Sequence, residues 1–555
     1  MRTRVQSFTN RFRTLALCMG AVNVIVLGFA VGAPRAHAQA AAPSPAAPIN
    51  WGTCAPPPSG IPDAGQQCAD LSVPLDYNAP NGKKITVAVS RIQSAKPGER
   101  RGVLFLNPGG PGGSGLDLPR VFTILFPQSV LDHYDLIGFD PRFVGQSTPL
   151  TCGLTPAQAN QAFVPLEQSG GFSATANYMK NVADKCTANS NGMLAYATTA
   201  NTARDMDQIR RALGEPKISY FAYSYGTYLG AVYASLFPAN SDRMVLDSSV
   251  DPQWVWRTQF RSWGPGGEQR FPDFTKFAAA NDSTYHLGST EAQVSNLFYA
   301  LVKKLDANPI ILPDGTVLNG PMFRELTFGG LYDDADFPAT AQVWQLANGQ
   351  MQPGDIKSAL SALLPAQTSA SKPTAKAAVA TPADNATASG LAIVCDDAAW
   401  PQTTLPYRIG FAADSALFPH FGALGSNIWP CAFWQNQAPG TPTPITSNGP
   451  RNILMVQDER DPATPYWGAL QMRGALGQRA RLVSVDQGGH AAAYLKPNTC
   501  ANDDTTDFLV NGTLPATDRF CPANPIMQPL TPNAVTTQDA AHQAAVRNVL
   551  QRMKF

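Results

Sequence analysis

A serine at the junction of a strand pattern and a helix pattern is the most chemically suggestive residue of this chain. The apolar run "ISYFAY" (218–223) ends directly before Ser224, and the small-residue stretch "YGTYLGAVYASLF" follows it. A serine on such a turn is held out over the carboxyl end of a sheet, with the N–H groups of the next helix directed at its reaction partner. The turn needs small neighbours, which Ala222 and Gly226 supply. Ser224 is therefore a candidate nucleophile, although the pentapeptide alone also fits an ordinary helix N-cap.

A hydroxyl nucleophile needs a base, and the base needs a carboxylate that fixes its tautomer. His490 stands in "VDQGGH", after the strand pattern "ARLVSV" (480–485), where two glycines allow a tight loop over the sheet edge. The segment "VQDERDPATP" follows the preceding strand pattern and offers Asp458 and Asp461. Two prolines stiffen the loop after Asp461, which favours it as the orienting acid. Asp458 stays an alternative, and both acids are also compatible with plain turn formation.

A glycine-rich loop, "NPGGPGGSG" (107–115), follows the strand pattern "GVLFLN". Gly110, Gly112 and Gly115 satisfy the dinucleotide-binding spacing G-x-G-x-x-G. Prolines inside the turn and shortly after it disfavour the phosphate-binding helix that such a site requires. The loop also lies upstream of Ser224, where a second backbone donor to an oxyanion is expected. We predict an oxyanion hole made by the N–H groups of Gly110 and Tyr225.

The elements that must position these residues follow an α/β pattern. Residues 70–77 and 83–93 alternate in polarity and predict an antiparallel pair of strands. Continuous apolar runs, alternating with helical stretches such as 202–214, then predict a parallel sheet covered on both faces. These runs are 102–107, 134–140, 218–223, 243–248, 452–457 and 480–485.

The alternation is interrupted between residues 252 and 392. This stretch shows helical patterns, such as 291–305, and an Ala/Thr/Ser/Pro-rich segment (365–390) whose composition predicts a flexible loop. We expect one α/β domain with a mostly parallel sheet, formed by residues 51–251 and 393–555 and split by a helical cap.

The first residues predict export. A basic stretch, an apolar stretch and "AHA" (36–38) indicate a signal peptide over residues 1–38, cut after Ala38, although an uncleaved anchor would also fit the apolar stretch. A Pro/Ala tether over 39–50 follows, and no later stretch resembles a membrane span. The mature protein is thus expected to be secreted or periplasmic. A net charge of +1 without single-sign runs argues against binding of nucleic acid or of a membrane surface.

The cysteine count fits an exported chain. Of nine cysteines, Cys18 falls in the apolar leader, which leaves eight. No CxxC or Cys/His cluster indicates a metal, so disulfides are the preferred interpretation. Neighbours in sequence are predicted to pair, since each pair brackets one loop or element: Cys54 with Cys68, Cys152 with Cys186, Cys395 with Cys431, and Cys500 with Cys521.

Taken together, these motifs resemble the secreted tripeptidyl aminopeptidases, which are α/β-hydrolases related to proline iminopeptidases. The resemblance covers most of the mature chain. It implies a triad of Ser224, Asp461 and His490, no metal or cofactor, and release of short peptides from free N-termini through an acyl-enzyme. The motifs that carry it are "LSVPLDY", "NPGGPGGSG", "GFDPRFVGQS", "TARDMDQIRRALGE", "YSYGTYLG", "RMVLDSSVDP", "AIVCDDAAWP", "DPATP" and "GGH".

Two residues depart from the family pattern. Ala222 replaces the first glycine of the serine turn, and Phe143 replaces the glycine usual after "DPR". An exopeptidase also needs a carboxylate for the substrate's ammonium group. The candidates are acids in the cap or at its border: Asp333, Asp334, Asp336, Asp396 and Asp397. Rival functions are an esterase or lipase of the same fold and a non-catalytic binding protein, although no triad member is missing.

Overall fold

The structure, a computed structural model, describes residues 49–312, 315–364, 380–435, 441–524 and 537–554. The predicted signal peptide (1–38) lies outside the described residues, as does the predicted tether (39–50) except for its last two residues. Among the described residues, no helix is both long enough and apolar enough to cross a bilayer.

Most strands of the described residues join one sheet. The strands are β1 (Gly52–Thr53), β2 (Gln67–Pro74), β3 (Lys84–Ile92), β4 (Gly102–Asn107), β5 (Tyr134–Phe139), β6 (Ile218–Tyr223), β7 (Ser241–Asp247), β8 (Ile310–Ile311), β9 (Val317–Leu318), β10 (Ile453–Arg460), β11 (Ala480–Gly488) and β12 (Arg519–Cys521). The large sheet has the order β1-β2-β3-β5-β4-β6-β7-β10-β11-β12, whereas β8 and β9 form a separate hairpin.

The sheet is antiparallel at one edge and parallel over the rest. The predicted antiparallel pair is β2 with β3, in which Leu71 lies opposite Val87. From β5 to β12 every neighbouring pair is parallel. All residues of β4, β5 and β6 are buried, because their continuous apolar sequences suit strands covered on both faces. The predicted α/β-hydrolase fold, with its mostly parallel sheet, is confirmed.

The helices of the described residues agree with the sequence patterns where those were strongest. The predicted helix 202–214 is α5, whose Thr198 N-cap oxygen accepts the N–H of Asn201. The predicted helix 291–305 is α10, capped in the same way by Thr290. The α-helices are α1 (Leu118–Leu125), α2 (Gln128–His133), α3 (Pro156–Ala162), α4 (Gly171–Asn189), α5 (Thr199–Ala212), α6 (Tyr225–Leu236), α7 (Arg257–Arg261), α8 (Trp263–Ala280), α9 (Asp282–Tyr285), α10 (Glu291–Ala307), α11 (Gly320–Gly330), α12 (Phe337–Asn348), α13 (Lys357–Leu363), α14 (Asn385–Asp396), α15 (Leu405–Leu417), α16 (Gly422–Ser426), α17 (Tyr466–Leu476), α18 (Thr499–Asn511) and α19 (Thr537–Met553).

The helical cap is larger than predicted. The boundary proposed at residue 392 is too early, because α16 packs against α7 and α8 and the sheet resumes only with β10 at Ile453. Helices α3 and α4, which precede the nucleophile strand, also join this layer through contacts with α14 and with residues 430–433. The cap is therefore assembled from several separate stretches of sequence.

The segment predicted as flexible (365–390) is partly helical. Residues 365–379 lie outside the described residues, but α14 begins at Asn385, and its Ala388, Ser389 and Gly390 are buried. Tertiary packing overrides the weak composition here, since Gly390 approaches Pro111 so closely that an added Cβ would lie 2.8 Å from the Pro111 carbonyl oxygen.

Candidate active site

Ser224 occupies the sharp turn between β6 and α6 that the sequence predicts. Its backbone has φ +56° and ψ −128°, a strained conformation for a non-glycine residue. The N–H of Ser224 donates to the carbonyl of Asp247 at 3.0 Å, which ties the turn to the end of the neighbouring strand. A Cβ on Gly226 would lie 2.7 Å from the Ala222 methyl group. The turn thus accommodates alanine at residue 222 because residue 226 is glycine.

Asp461 and His490 form a buried hydrogen-bonded pair. His490 Nδ1 lies 2.9 Å from Asp461 Oδ2 and 3.0 Å from Oδ1, and both side chains are inaccessible to solvent. The carboxylate also accepts the N–H groups of Ala463 and Thr464 and the Thr464 hydroxyl. Burial raises the pKa of Asp461, but the charge and hydrogen bond of His490, together with the Thr464 bonds, outweigh it and hold the pKa below its usual value. Such a carboxylate stays ionised and can orient the imidazole.

The other ring nitrogen of His490 is the one available for proton transfer. Nε2 is buried and has no hydrogen-bond partner among the described residues. The loop after His490 lies beside the nucleophile turn, since the Tyr223 hydroxyl donates to the carbonyl of Ala493 at 2.7 Å. The residue before Ser224 and the third residue after His490 are therefore in direct contact.

Asp458, the alternative acid, has a different role. Its Oδ2 accepts a hydrogen bond from Lys496 Nζ at 2.6 Å, and its Oδ1 accepts one from Gln487 Nε2 at 2.7 Å. Lys496 also donates to the carbonyl of Gly488, two residues before the histidine. Asp458 thus supports the loop that carries His490, whereas Asp461 bonds the imidazole itself.

The glycine-rich loop lies against the nucleophile turn. A Cβ on Gly109, which has φ +102°, would lie 2.8 Å from the Tyr223 carbonyl oxygen and 2.9 Å from Ser224 Cβ. The N–H of Tyr225 is at the start of α6, where helix N–H groups lack partners within the helix. This placement suits the oxyanion hole predicted from Gly110 and Tyr225. It does not suit a dinucleotide, because Ser224 occupies the space beside the loop.

The cap contacts His490 directly. The carbonyl of Tyr332 accepts the N–H of His490 at 2.8 Å, and the two rings meet edge to face with centroids 4.9 Å apart. Arg270, itself buried, holds this part of the cap by donating to the carbonyl of Leu331 and pairing with Asp334. The three residues predicted to form a triad are all buried, with Ser224 only 5% exposed.

The five acids predicted as ammonium anchors all have partners in the structure. Asp397 accepts from the Thr199 N–H and hydroxyl and from Trp256 Nε1, and burial raises its pKa to about 6. Asp396 accepts from Trp434 Nε1. Asp333 caps a short turn, Asp334 pairs with Arg270 and Asp336 pairs with Lys554. Asp396 alone keeps a buried oxygen, Oδ2, without a partner among the described residues.

Glu325 on α11 is the acid that sequence reasoning missed. Its Oε2 is buried without a hydrogen-bond partner among the described residues, and burial raises the pKa of this carboxyl to about 8. It lines a cavity of about 30 Å³ together with Tyr332 and Lys554. The ammonium of Lys554 is already engaged, by Asp336 at 2.8 Å and the carbonyl of Ala362 at 3.1 Å. In sequence, Glu325 looks like any polar residue of an amphipathic helix.

Phe143, the second departure from the family pattern, occupies a glycine-like conformation. Its φ is +72°, in the left-handed region that glycine adopts most readily, and its side chain is buried. Its carbonyl accepts the amide of Asn385 at the start of α14. Phe143 thus packs between the core and the cap.

Four disulfides are present, and they are the pairs predicted from sequence neighbours: Cys54–Cys68, Cys152–Cys186, Cys395–Cys431 and Cys500–Cys521. Cys395–Cys431 joins the end of α14 to residues 430–433, directly beside Asp396 and Asp397.

Comparison with known proteins places the chain among related enzymes. The family profile described as TAP-like protein matches residues 419–521. A tripeptidyl aminopeptidase of Streptomyces lividans is 35% identical over 502 residues, which cover 88% of this chain and 89% of that protein. The chain belongs to the tripeptidyl aminopeptidase family. As a member of this family of α/β-hydrolases it is a serine hydrolase, of the serine peptidase type.

More distant relatives carry other names. Serine protease Hip1 of Mycobacterium tuberculosis is 28% identical over 525 residues, covering 91% of this chain and 96% of that protein. Carboxylesterase B of the same species is 29% identical over 545 residues, covering 92% and 99%. Among solved structures, proline iminopeptidase of Mycobacterium smegmatis is 14% identical with a TM-score of 0.33, covering 80% of this chain and 98% of that one.

Proposed function

We propose that this protein is an exported serine exopeptidase that releases short peptides, tripeptides in particular, from free N-termini through an acyl-enzyme. The observation that carries the proposal is the carboxyl of Glu325, whose buried Oε2 has no hydrogen-bond partner among the described residues. This carboxyl lies in a cavity lined by Tyr332, the residue that contacts His490. A peptidase that requires a free N-terminus needs such a group for the substrate's ammonium, whereas an esterase does not.

The position and size of this cavity support the proposal. Tyr332 lines the cavity and also contacts His490. A volume of about 30 Å³ is more than the roughly 10–15 Å³ that one water molecule requires, so a group of the size of an ammonium fits. The release of tripeptides in particular is proposed from the relatives named tripeptidyl aminopeptidase.

The chemistry that we assign to Ser224, Asp461 and His490 is supported by the bond between Asp461 and His490. Asp461 fixes the imidazole through Nδ1, so Nε2 of His490 takes the proton of Ser224 as the hydroxyl attacks the scissile carbonyl. The N–H groups of Gly110 and Tyr225 bind the oxyanion, and His490 then protonates the leaving amine. Water repeats the cycle and releases the N-terminal peptide. Because Ser224 is nearly inaccessible, the cap must open for a substrate, and folded proteins are excluded.

Export is supported by the leader pattern of residues 1–38 and by the four disulfides, which persist in oxidising compartments. Sequencing the N-terminus of the protein recovered from the medium or periplasm tests this part. We expect the mature chain to begin at Gln39.

The decisive assay compares a tripeptide anilide with its N-acetylated form. We expect the free amine to be cleaved and the blocked form to be nearly inert. In Glu325→Gln the KM for the free-amine substrate should rise about 10- to 100-fold, because a hydrogen bond to a charged partner contributes roughly 1.5–3 kcal/mol. Glu291→Gln, an exposed change on α10, serves as the matched control.

Three outcomes contradict the proposal. Equal cleavage of blocked and free substrates would remove the exopeptidase assignment, and turnover of simple esters without cleavage of any free-amine peptide would favour an esterase. Mass spectrometry of a digested defined peptide reports the length released, and products other than tripeptides would remove the tripeptide assignment alone.

A further inference from the structure

We propose that Asp247 is a positioning residue that holds the nucleophile and the base in one register, its main chain bonding Ser224 and its carboxyl bonding the loop after His490. The proposal rests on the roles proposed above for Ser224 and His490. It goes beyond them because it assigns the assembly of the triad to a buried acid that touches neither reacting atom.

Asp247 is the last residue of β7, the strand between the nucleophile strand β6 and the strand β10 that leads to Asp461. Its side chain is fully buried. Its carbonyl accepts the N–H of Ser224 at 3.0 Å, which fixes the height of the serine turn above the sheet.

The carboxyl of Asp247 bonds the loop that follows His490. Oδ1 and Oδ2 each lie 3.1 Å from the N–H nitrogen of Ala492, and Oδ2 lies 2.6 Å from that of Ala493. Ser248 Oγ accepts the N–H of Ala491 at 2.8 Å and donates to Asp247 Oδ1 at 3.2 Å. The N–H groups of the three residues after His490 thus donate to two adjacent acceptors, Asp247 and Ser248.

This arrangement explains why the backbone at Ala491 adopts an unfavourable conformation. Ala491 has φ +71°, a conformation that alanine rarely adopts. The turn directs the N–H groups of residues 491–493 to one side, where Ser248 and Asp247 accept them. Buried N–H groups without partners are strongly disfavoured, so the loop requires the acceptors that Asp247 and Ser248 supply. The position of His490 therefore depends on the same residue that holds Ser224.

Two other roles for Asp247 can be weighed against this one. It could serve as the acid partner of the histidine, but the imidazole bonds Asp461 and the oxygens of Asp247 are occupied by N–H groups. It could also contribute only to stability, as a buried acid elsewhere in the sheet does. Asp135 is such an acid: it is buried at the opposite end of β5, where it accepts the N–H of Ser94 at 2.8 Å.

The test measures the rate of Ser224 labelling by a fluorophosphonate, a reagent that reports nucleophile activation without any peptide specificity. We expect Asp247→Ala to slow labelling by about 100-fold, the loss typical of a displacement near 1 Å in a catalytic group. With a peptide substrate, kcat should fall by a similar factor while KM changes less than about threefold. Asp247→Asn should retain activity within about tenfold, because its amide oxygen can accept the N–H groups of Ala492 and Ala493.

Asp135→Ala is the matched control, expected to lower thermal stability and to leave the labelling rate of the folded enzyme unchanged. A folded Asp247→Ala enzyme that labels as fast as Asp135→Ala overturns the proposal. If Asp247→Ala does not fold, Ser248→Ala decides: about a tenfold loss in labelling rate supports the proposal, and a wild-type rate overturns it. Absence of labelling in the wild type would instead contradict the triad itself.

Discussion

Tyr332 bonds His490 with its main chain and packs against the imidazole with its ring. Its carbonyl accepts the N–H of His490 at 2.8 Å, and the ring centroids are 4.9 Å apart. Because Tyr332 lies two residues after the end of the cap helix α11 at Gly330, the position of the cap and the position of His490 are coupled. An opening of the cap large enough to admit a peptide would therefore release one support of His490 until the cap closes again.

Removal of the Tyr332 ring should show how much the ring contributes to catalysis, because the main-chain bond to His490 is retained. We expect Tyr332→Ala to lower kcat about 10- to 100-fold, since the imidazole loses its edge-to-face neighbour, and Tyr332→Phe to stay close to the wild type. Tyr299→Ala, at a half-exposed cap position, is the control. Steady-state kinetics with a free-amine tripeptide anilide check this, and a Tyr332→Ala enzyme with unchanged kcat would show that the ring does not matter.

The glycine-rich loop tolerates no side chain where it meets the nucleophile. We expect Gly109→Ala to reduce kcat at least about 100-fold, because the methyl group would press on Ser224 Cβ and the Tyr223 carbonyl. Gly192→Ala is the matched control: its φ of +73° imposes a comparable backbone strain, but nothing lies within 4 Å of the added methyl group. Equal effects of the two changes on kcat would attribute the loss to backbone strain alone.

Two buried acids predict that stability falls as the pH rises. Burial raises the pKa of Glu325 to about 8, and burial together with the charge of Asp458 raises that of Asp247 to about 8. The folded state then binds more protons than the unfolded state between about pH 4 and pH 8. The free energy of unfolding is undiminished below about pH 4, decreases between about pH 4 and pH 8 by up to about 1.4 kcal/mol per pH unit for each group, and levels off above about pH 8.

Denaturant melts at several pH values measure this slope. Glu325→Gln should remove the contribution of Glu325 to the pH dependence of the free energy of unfolding. Asp247→Asn should remove the contribution of Asp247. A slope in either variant identical to that of the wild type would contradict the assignment for that residue.

The disulfides should differ in what they support. Removal of Cys395–Cys431, which closes a sequence separation of 36 residues, should lower the free energy of unfolding by about 4 kcal/mol by the chain-entropy relation. It should also raise KM, because it anchors the end of α14 beside the Asp397 network. Removal of Cys54–Cys68, with a separation of 14, should cost about 3 kcal/mol and leave KM unchanged. Serine double variants compared by calorimetry and kinetics test both statements.

Much of the sheet and the pairing of Asp461 with His490 could be predicted because their signals are local. Each buried strand is one continuous apolar run, and Ser224, Asp461 and His490 each follow such a run. The preference for Asp461 over Asp458 came from loop stiffness, and the structure gives the physical distinction, since Asp458 is bonded to Lys496.

The extent of the cap and the burial of Glu325 could not be predicted in the same way. Helices α3 and α4 precede Ser224 in the chain, and α16 follows residue 392, so only tertiary contacts show that they form one layer. Glu325 cannot be recognised from its local sequence. Its carboxyl is buried without a hydrogen-bond partner among the described residues because of the residues that pack around it. Asp247 belongs to a motif noted for its family resemblance, but its bonds to residues 492 and 493 join strand ends that are remote in sequence.

The interruption of the sheet by the cap also bears on biosynthesis. Ser224 is translated long before the strands β10 and β11 that deliver its acid and base, and parallel strands so distant in sequence pair late in folding. A chain still being made, or held unfolded for translocation, would carry a hydroxyl with no base beside it. The cell that produces the enzyme would therefore be protected from its hydrolytic activity until folding joins the two halves of the sheet.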